Sequence, residues 1–222
     1  MSGLFITGTD TGVGKSWVAA GMMAALQQQG RQVVGMKPVA SGAVMTAAGL
    51  RNEDALLLQQ QGSLPIDYAL INPYTFAAPI APHLAAAALG EEILLAPILA
   101  SYQQLAAQAE MVVVEGVGGW RVPLSEAIDV AQLAQALQLP VVLVVGMRLG
   151  CINQALLTAD AIIASGVAFA GWVATTLEPA MALFEGNVAT LQQRLPVPLL
   201  GVVPHLQQFD VAAVARCLVA GR

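Results

Sequence analysis

The sequence predicts an α/β fold: a doubly wound, mostly parallel sheet flanked by helices, in a single domain over residues 1–222. Short β-branched runs alternate with longer Ala-, Leu- and Gln-rich segments of helical length, which is the order that builds parallel sheets through crossover helices. The strand-like runs are continuously apolar, as at residues 141–145, and such runs are typical of strands covered on both faces. The length of 222 residues suits one such domain.

The elements follow in order along this pattern. The predicted strands are residues 3–7, 32–36, 111–114, 141–145, 168–174 and 198–202. The predicted helices are residues 15–29, 53–61, 91–108, 128–137, 152–165 and 182–194, with another closing the chain. Residues 37–82 contain five prolines and are the least regular stretch of the chain. Because this stretch follows a strand, we expect it over the carboxyl ends of the sheet, where open α/β folds bind ligands.

Composition excludes several classes of function. Charged residues are 10% of the chain and the net charge is −5, so we expect no nucleic-acid partner. The apolar runs fall far short of the roughly 20 residues of a membrane span, and no basic segment precedes one at the start, so no signal peptide is expected. Cys151 and Cys217 form no metal motif. We expect a cytoplasmic enzyme whose charge-poor surface favours a two-fold dimer.

The strongest motif is a phosphate loop. Residues 8–16, GTDTGVGKS, form a phosphate loop of the G-x-x-x-x-G-K-[ST] type, with one extra residue between Gly8 and Gly14. The loop lies between a predicted strand and a predicted helix, the context that this motif requires. Its glycines let backbone N–H groups surround an anion, Lys15 can reach the β- and γ-phosphates, and Ser16 can bind Mg²⁺. The sequence therefore predicts a P-loop NTPase type of fold that uses a nucleoside triphosphate.

Lys37 is the second of only two lysines in the chain. It could be an ordinary surface lysine at a strand end. However, we expect its strand to lie beside the first strand, and Pro38 ends the ladder, so the ammonium should project near the same phosphates. There it could stabilise charge that develops during phosphoryl transfer.

Carboxylates follow at two further points. Glu115 ends an apolar strand and precedes Gly116, Val117 and Gly118, where a P-loop enzyme places a second Mg²⁺ contact. Spacing does not choose between Glu53 and Asp54 as a further ligand, since an acid at a helix start is often just a favourable dipole contact.

Three other features are weaker. His83 and His205 have no metal or triad spacing, so each is a structural residue or a loop contact. Residues 150–153 open a helix whose free N–H groups could bind a carboxylate, although an ordinary helix start explains them as well.

Taken together, these stretches resemble the dethiobiotin synthetase family over most of the chain to about residue 205. The motifs that carry the resemblance are TGTDT at 7–11, KPVASG at 37–42, LRNEDA at 50–55, INPYTF at 71–76, VEGVGGW at 114–120, LPV at 139–141, GCIN at 150–153, AGWVA at 170–174 and PLLG at 198–201. The family joins CO₂ to 7,8-diaminononanoate and closes a cyclic urea, converting ATP to ADP and phosphate in biotin biosynthesis.

The resemblance implies roles for individual residues, with Lys15 and Lys37 as the catalytic pair. It selects Asp54 over Glu53, so the Mg²⁺ ligands would be Ser16, Asp54 and Glu115. The implied nucleotide contacts are Thr11, Gly12, Val13, Gly14, Lys15, Ser16, Trp17, Asp54, Glu115, Gly116, Val117, Gly118, Thr175, Thr176, Pro204 and His205. The implied substrate contacts are Lys37, Ser41, Gly150, Cys151, Ile152 and Asn153, the last four contributed across a homodimer interface.

Two positions depart from the family pattern. Residue 12 is Gly where members often carry Glu, and Thr175 stands where the usual Asn reads the adenine edge. A threonine offers one hydroxyl in place of a bidentate amide, so we expect looser selection of the base.

Two other readings remain. A partitioning-type switch ATPase usually carries a signature lysine early in the loop, where this chain has Asp10. A non-catalytic paralogue that only binds nucleotide is opposed by the presence of Lys15, Lys37, Asp54 and Glu115. The cobyrinate-type synthases are excluded because their second domain would not fit in 222 residues.

Overall fold

The computed structural model describes residues 3–218. In this part of the chain the strands are β1 Gly3–Gly8, β2 Val33–Met36, β3 Val39–Ser41, β4 Val44–Thr46, β5 Gly49–Arg51, β6 Tyr74–Phe76, β7 Met111–Glu115, β8 Val141–Met147, β9 Phe169–Thr176 and β10 Leu199–Val203. The helices are α1 Lys15–Gln28, α2 Glu53–Gln61, α3 Tyr68–Ile71, α4 Pro82–Ala87, α5 Leu95–Ala106, α6 Val130–Leu137, α7 Cys151–Ala164, α8 Phe184–Arg194 and α9 Val211–Arg216.

The central sheet has six strands in the order β10-β9-β8-β1-β7-β2, and all of its neighbouring pairs are parallel. Alternate residues of each strand point to opposite faces. Phe5, for example, joins a core with α5 to α8, whereas Ile6 joins a core with α1, α2 and α9. Both faces are thus buried, which confirms the predicted doubly wound sheet.

The predicted strands of the central sheet are confirmed, with bounds that shift by one or two residues. The prediction that β2 lies beside β1 is wrong, because β7 lies between them and pairs with both. The position of β7 between β1 and β2 could not be predicted from local sequence patterns, since a long crossover separates β2 from β7. Lys37 still reaches the loop side of the sheet because β2 and β7 end at the same edge.

Two other predictions needed correction. The helix predicted from residue 91 begins at Leu95, because Pro97 has no N–H for an earlier turn and its ring would clash with the carbonyl of Ile93. In the least regular stretch, residues 37–82, the helix predicted at residues 53–61 is confirmed as α2, but the stretch also contains α3, the parallel pair β3–β6 and the antiparallel hairpin β4–β5. These three-residue strands are too short to produce a periodic sequence pattern.

The last helix, α9, packs closely against α1, and this contact holds the segment that follows β10. A Cβ added at Gly21 of α1 would collide with Cγ1 of Val214 in α9. Only glycine therefore allows the two helices to approach this closely.

Gly21→Ala should lower the free energy of unfolding by about 1–3 kcal/mol, because the added methyl group overpacks the α1–α9 contact. Urea unfolding followed by circular dichroism measures this. Gly186→Ala is the matched control, since Gly186 is exposed on α8 with space around it, and it should hold or raise stability. An equal loss in both variants would contradict the packing argument.

Candidate active site

The phosphate loop connects β1 to α1 at the middle of the sheet. Gly12 and Gly14 have φ angles of 73° and 86°, a left-handed conformation that favours glycine. Gly14 begins α1 without a side-chain cap, so the first N–H groups of the helix are free to bind an anion. The Lys15 ammonium folds over the loop and donates to the carbonyl of Asp10 at 2.8 Å.

Lys37 forms a buried ion cluster with two carboxylates. Its Nζ lies 2.6 Å from Glu115 Oε1 and 3.1 Å from Asp54 Oδ2, and it also donates to the carbonyl of Gly116 at 3.2 Å. Lys37 is only 3% exposed and Glu115 only 1%. The cluster therefore joins the ends of β2 and β7 to the start of α2, beside the phosphate loop.

Electrostatics differ between the two lysines. Burial and the nearby charge of Lys37 lower the pKa of Lys15 to about 8, although Glu115 opposes this. Burial opposes protonation of Lys37 as well, but the charges of Glu115 and Asp54 outweigh it and raise the Lys37 pKa. Burial raises the pKa of Glu115, against the attraction of Lys37. The protonated ammonium of Lys37 is thus held firmly in place.

The three predicted metal ligands come together. Ser16 Oγ donates to Glu115 Oε1 at 2.9 Å. Burial opposes ionisation of Asp54, but the charge of Lys37 and the nearby Ser16 hydroxyl lower the Asp54 pKa. Glu115 Oε2 is buried and has no partner among residues 3–218. Glu53 is exposed, so the structure brings Asp54 rather than Glu53 to Lys37 and Ser16.

The start of α2 places Asp54. Asn52 caps the helix by accepting from the N–H groups of Asp54 and Ala55 at 3.1 and 3.3 Å. Its own N–H donates to the Tyr68 hydroxyl at 2.8 Å. Asn52 is a functional residue that was not predicted, although an Asn directly before a helix is a recognisable capping signal.

A second amide supports Lys37. Asn72 donates to the carbonyl of Lys37 at 2.7 Å and accepts from the Tyr68 hydroxyl at 2.9 Å. The role of Asn72 was not predictable from the sequence, because its partner is 35 positions away and no local pattern connects them.

Asp10 and Arg148 clamp the loop from the other side. Arg148 Nη2 lies 2.5 Å from Asp10 Oδ2, and the N–H of Thr11 donates to Asp10 Oδ1 at 2.7 Å. Lys15 holds the carbonyl of the same residue. Asp10 therefore fixes the conformation of the loop within this chain.

A cleft of about 990 Å³ runs across these elements. The predicted site residues that line it are Thr11, Gly12, Gly14, Lys15, Ser16, Trp17, Lys37, Ser41, Asp54, Glu115, Val117, Gly118, Thr175, Thr176, Pro204 and His205. Residues of the 37–82 stretch, among them Ser41 and Pro82, form one wall. Ser41 Oγ is buried and has no partner among the described residues.

Six predicted site residues do not line this cleft. Val13 is buried in the core beneath the loop, and Gly116 contributes its carbonyl to Lys37 rather than a surface. Gly150, Cys151, Ile152 and Asn153 lie at the start of α7, outside the cleft of this chain. Cys151 is fully buried.

Thr175 lines the cleft but its hydroxyl is already engaged. The hydroxyl donates to the carbonyl of Val13 at 2.7 Å, and the carbonyl of Val145 is a more distant acceptor at 3.2 Å. The side chain supports the phosphate loop from below, a role that its sequence position did not indicate.

The fold and the site define the class: a nucleotide-binding α/β protein with a phosphate loop and a buried lysine between two carboxylates. A sequence profile described as "AAA domain" matches residues 2–213. The chain is 52% identical to the ATP-dependent dethiobiotin synthetase BioD of Xanthomonas euvesicatoria pv. vesicatoria, over 96% of both chains. It is also 52% identical to the BioD of Pseudomonas aeruginosa, over 98% of this chain and 96% of the relative. The Xylella fastidiosa relative is 50% identical over 93% of this chain and 91% of its own. The chain belongs to the ATP-dependent dethiobiotin synthetase family.

Solved structures show the same fold at low identity. The Aquifex aeolicus MinC:MinD cell division protein complex matches with a TM-score of 0.61 and 16% identity over 97% of this chain and 86% of the other. The septum site-determining protein MinD complexed with Mg-ADP from Pyrococcus horikoshii matches with a TM-score of 0.53 and 16% identity, over 99% and 87%. Within residues 3–218, no helix is long and apolar enough to cross a membrane.

Lys37→Ala should lower the free energy of unfolding by about 3–5 kcal/mol, because it leaves the buried carboxylate of Glu115 without its counter-ion. Denaturant unfolding measures the loss. In a Lys37→Met/Glu115→Gln double variant much of it should return, since the buried charge is removed along with the lysine. If the losses of Lys37→Met and Glu115→Gln, each measured alone, simply add in the double variant, the ion pair does not couple these residues.

Proposed function

We propose that the protein is a ligase, an ATP-dependent dethiobiotin synthetase. It joins CO₂ to 7,8-diaminononanoate and closes the cyclic urea of dethiobiotin, with ATP converted to ADP and phosphate. The observation that carries the proposal is the buried Lys37 cluster beside the phosphate loop, in a chain 52% identical to dethiobiotin synthetases over 96% of its length. Residues 1–222 would form one catalytic domain.

The reaction would use the two ammonium groups as fixed positive charges. One amine of the diamine attacks CO₂ and loses a proton, which gives a carbamate. The carbamate oxygen attacks the γ-phosphorus and expels ADP, and the second amine then attacks the carbonyl of this mixed anhydride and expels phosphate. Lys15 and Lys37 stabilise the negative oxygens of these species. The unpartnered hydroxyl of Ser41 on the same wall is available to hydrogen-bond the diamine or the carbamate.

The donor set suits Mg²⁺, which takes hard oxygen ligands, usually one or two carboxylates together with substrate phosphates. Ser16, Asp54 and Glu115 would hold it, and the buried, unpartnered Oε2 of Glu115 supports this assignment. When bound, Mg²⁺ neutralises charge on the phosphate oxygens. Among the described residues there is no cluster of three Cys, His or acidic side chains, so a site shared with nucleotide phosphates is the better match.

The substrate carboxylate would bind at the start of α7 in a partner subunit of a homodimer. Gly150 begins this helix without a side-chain cap, which leaves N–H groups for an anion. Because residues 150–153 lie outside the cleft of their own chain, they could bind the substrate in the cleft of a second subunit. Leu149 is 99% exposed and Leu157 on α7 is 62% exposed, and apolar surface of this kind favours subunit contact. We place the enzyme in the cytoplasm.

Phosphate release from Mg·ATP, measured with and without 7,8-diaminononanoate and bicarbonate, tests the function. Release that requires both co-substrates, with dethiobiotin as the product, is the expected result. Release that ignores the diamine would reject the synthetase and favour a switch ATPase. Nucleotide binding without any release would favour a non-catalytic paralogue.

Lys37→Ala should reduce turnover by roughly 10²-fold or more, because it removes a preorganised charge from the reacting oxygens. The initial rate of dethiobiotin formation, at a temperature where the variant is folded, measures this. Lys37→Arg is the control that keeps the charge but not the compact ammonium, and it should be more stable than Lys37→Ala. Near-normal turnover of the alanine variant would remove Lys37 from the mechanism.

Asn153→Glu should abolish diamine use, because it sets a negative charge where the substrate carboxylate binds, yet an acid in the first turn favours the helix itself. Asn153→Gln is the neutral control. Mixing Asn153→Glu with Lys37→Ala should restore activity, since one of the two sites in a mixed dimer then has an intact loop and an intact helix start. No recovery after subunit exchange would contradict a shared site.

A further inference from the structure

The cleft has a charged half and an apolar half on either side of the phosphate loop. Lys37, Asp54 and Glu115 lie on the side of β7 and β2, whereas the other half lies at the ends of β9 and β10. The residues that line this other half are Trp17, Thr175, Thr176, Leu177, Val203, Pro204, His205, Leu206 and Phe209. Among the described residues, this half contains no Lys, Arg, Asp or Glu side chain. Since the proposed reaction uses Lys37, Asp54 and Glu115 on the charged side, we expect the base of the nucleotide in the apolar half.

Two aromatic side chains meet in the apolar half. Trp17 lies in the first turn of α1, and Phe209 lies just before α9. Their ring centroids are 5.3 Å apart with the planes inclined by 43°. Both rings are partly buried and both line the cleft, so they offer a ring surface directly beyond the phosphate loop.

Groups that could read the edge of a base are few in this half. The single proton of the Thr175 hydroxyl is donated to the carbonyl of Val13, and Thr175 is only 5% exposed. Thr176 is partly exposed and His205 is exposed, so water competes for their hydrogen bonds. Stacking on an aromatic ring, in contrast, accepts every base because each has a π-face.

We propose that Trp17 and Phe209 form a platform on which the nucleobase stacks, so that the protein selects its nucleoside triphosphate by ring stacking rather than by the base edge. The inference rests on the proposed ATP site and adds the determinant of its specificity. It predicts broad acceptance of bases, with the larger purines bound more tightly than the pyrimidines.

Calorimetric titration with ADP, GDP and CDP tests this independently of turnover. ADP and GDP should bind within about 10-fold of each other, and CDP should bind more weakly. Trp17→Leu and Phe209→Leu should each weaken ADP binding by roughly 10-fold or more, the range for loss of one stacking ring. Trp17→Phe should recover most of this affinity.

Two controls separate the platform from a structural effect. Inorganic pyrophosphate has no base, so both leucine variants should bind it as the wild type does. Phe169→Leu makes the same Phe-to-Leu change at the opposite end of β9, away from the cleft. It should leave the ADP affinity within about twofold of the wild type.

Three results would overturn the platform: unchanged ADP affinity in both leucine variants, an equal weakening of pyrophosphate, or ADP bound more than about 100-fold more tightly than GDP. Since the titrations need no diamine, they still test base stacking if diamine-dependent phosphate release is not observed. A failure of the synthetase activity and a failure of the base platform are therefore distinguishable.

Discussion

The burial of the Lys37 ammonium is the constraint on which the rest of the site depends. A buried charge is tolerated only when it is paired and hydrogen-bonded, and here the partners come from separate elements, with Glu115 from β7 and Asp54 from α2. These elements must therefore meet at one edge of the sheet. The cap of Asn52 and the amide of Asn72 then hold the α2 start and the Lys37 backbone to this arrangement. The site is positioned by electrostatic necessity as much as by packing.

The same cluster gives the site its chemical character. Lys15 and Lys37 repel one another, which contributes to the lowered pKa of Lys15, so an anion bound between them relieves the repulsion. Charges that are fixed before the substrate arrives do not have to reorganise during the reaction, which is the main source of electrostatic catalysis. Removing one partner of a buried ion pair is costly, yet the pair as a whole can add little over an apolar replacement because burial of the charges offsets their attraction, so the geometry that the cluster imposes is a reason for its presence.

Local patterns predicted the parts of the fold that local physics determines. The phosphate loop, the central strands and Glu115 at the end of β7 all carry short-range signals, and each was found at its predicted place. Strand order was not available from the sequence, because the position of β7 between β1 and β2 follows from long-range packing. Spacing did not distinguish Glu53 from Asp54 either, since the orientation of α2 decides which acid faces Lys37. The role of Thr175 as a support for the loop depends on a contact across 162 positions.

The fold alone does not decide between the synthetase and the partitioning-type switch ATPases considered from the sequence, because the fold is shared widely enough to include the cell division protein MinD. The difference lies in single residues, as function on a common fold generally does. At the loop position where such switches usually carry a lysine, this chain has Asp10. Its carboxylate is bound by Arg148 and by the N–H of Thr11, and its carbonyl is held by Lys15. The second ammonium beside the phosphate loop is instead that of Lys37, which lies in the same chain and is held by Glu115 and Asp54.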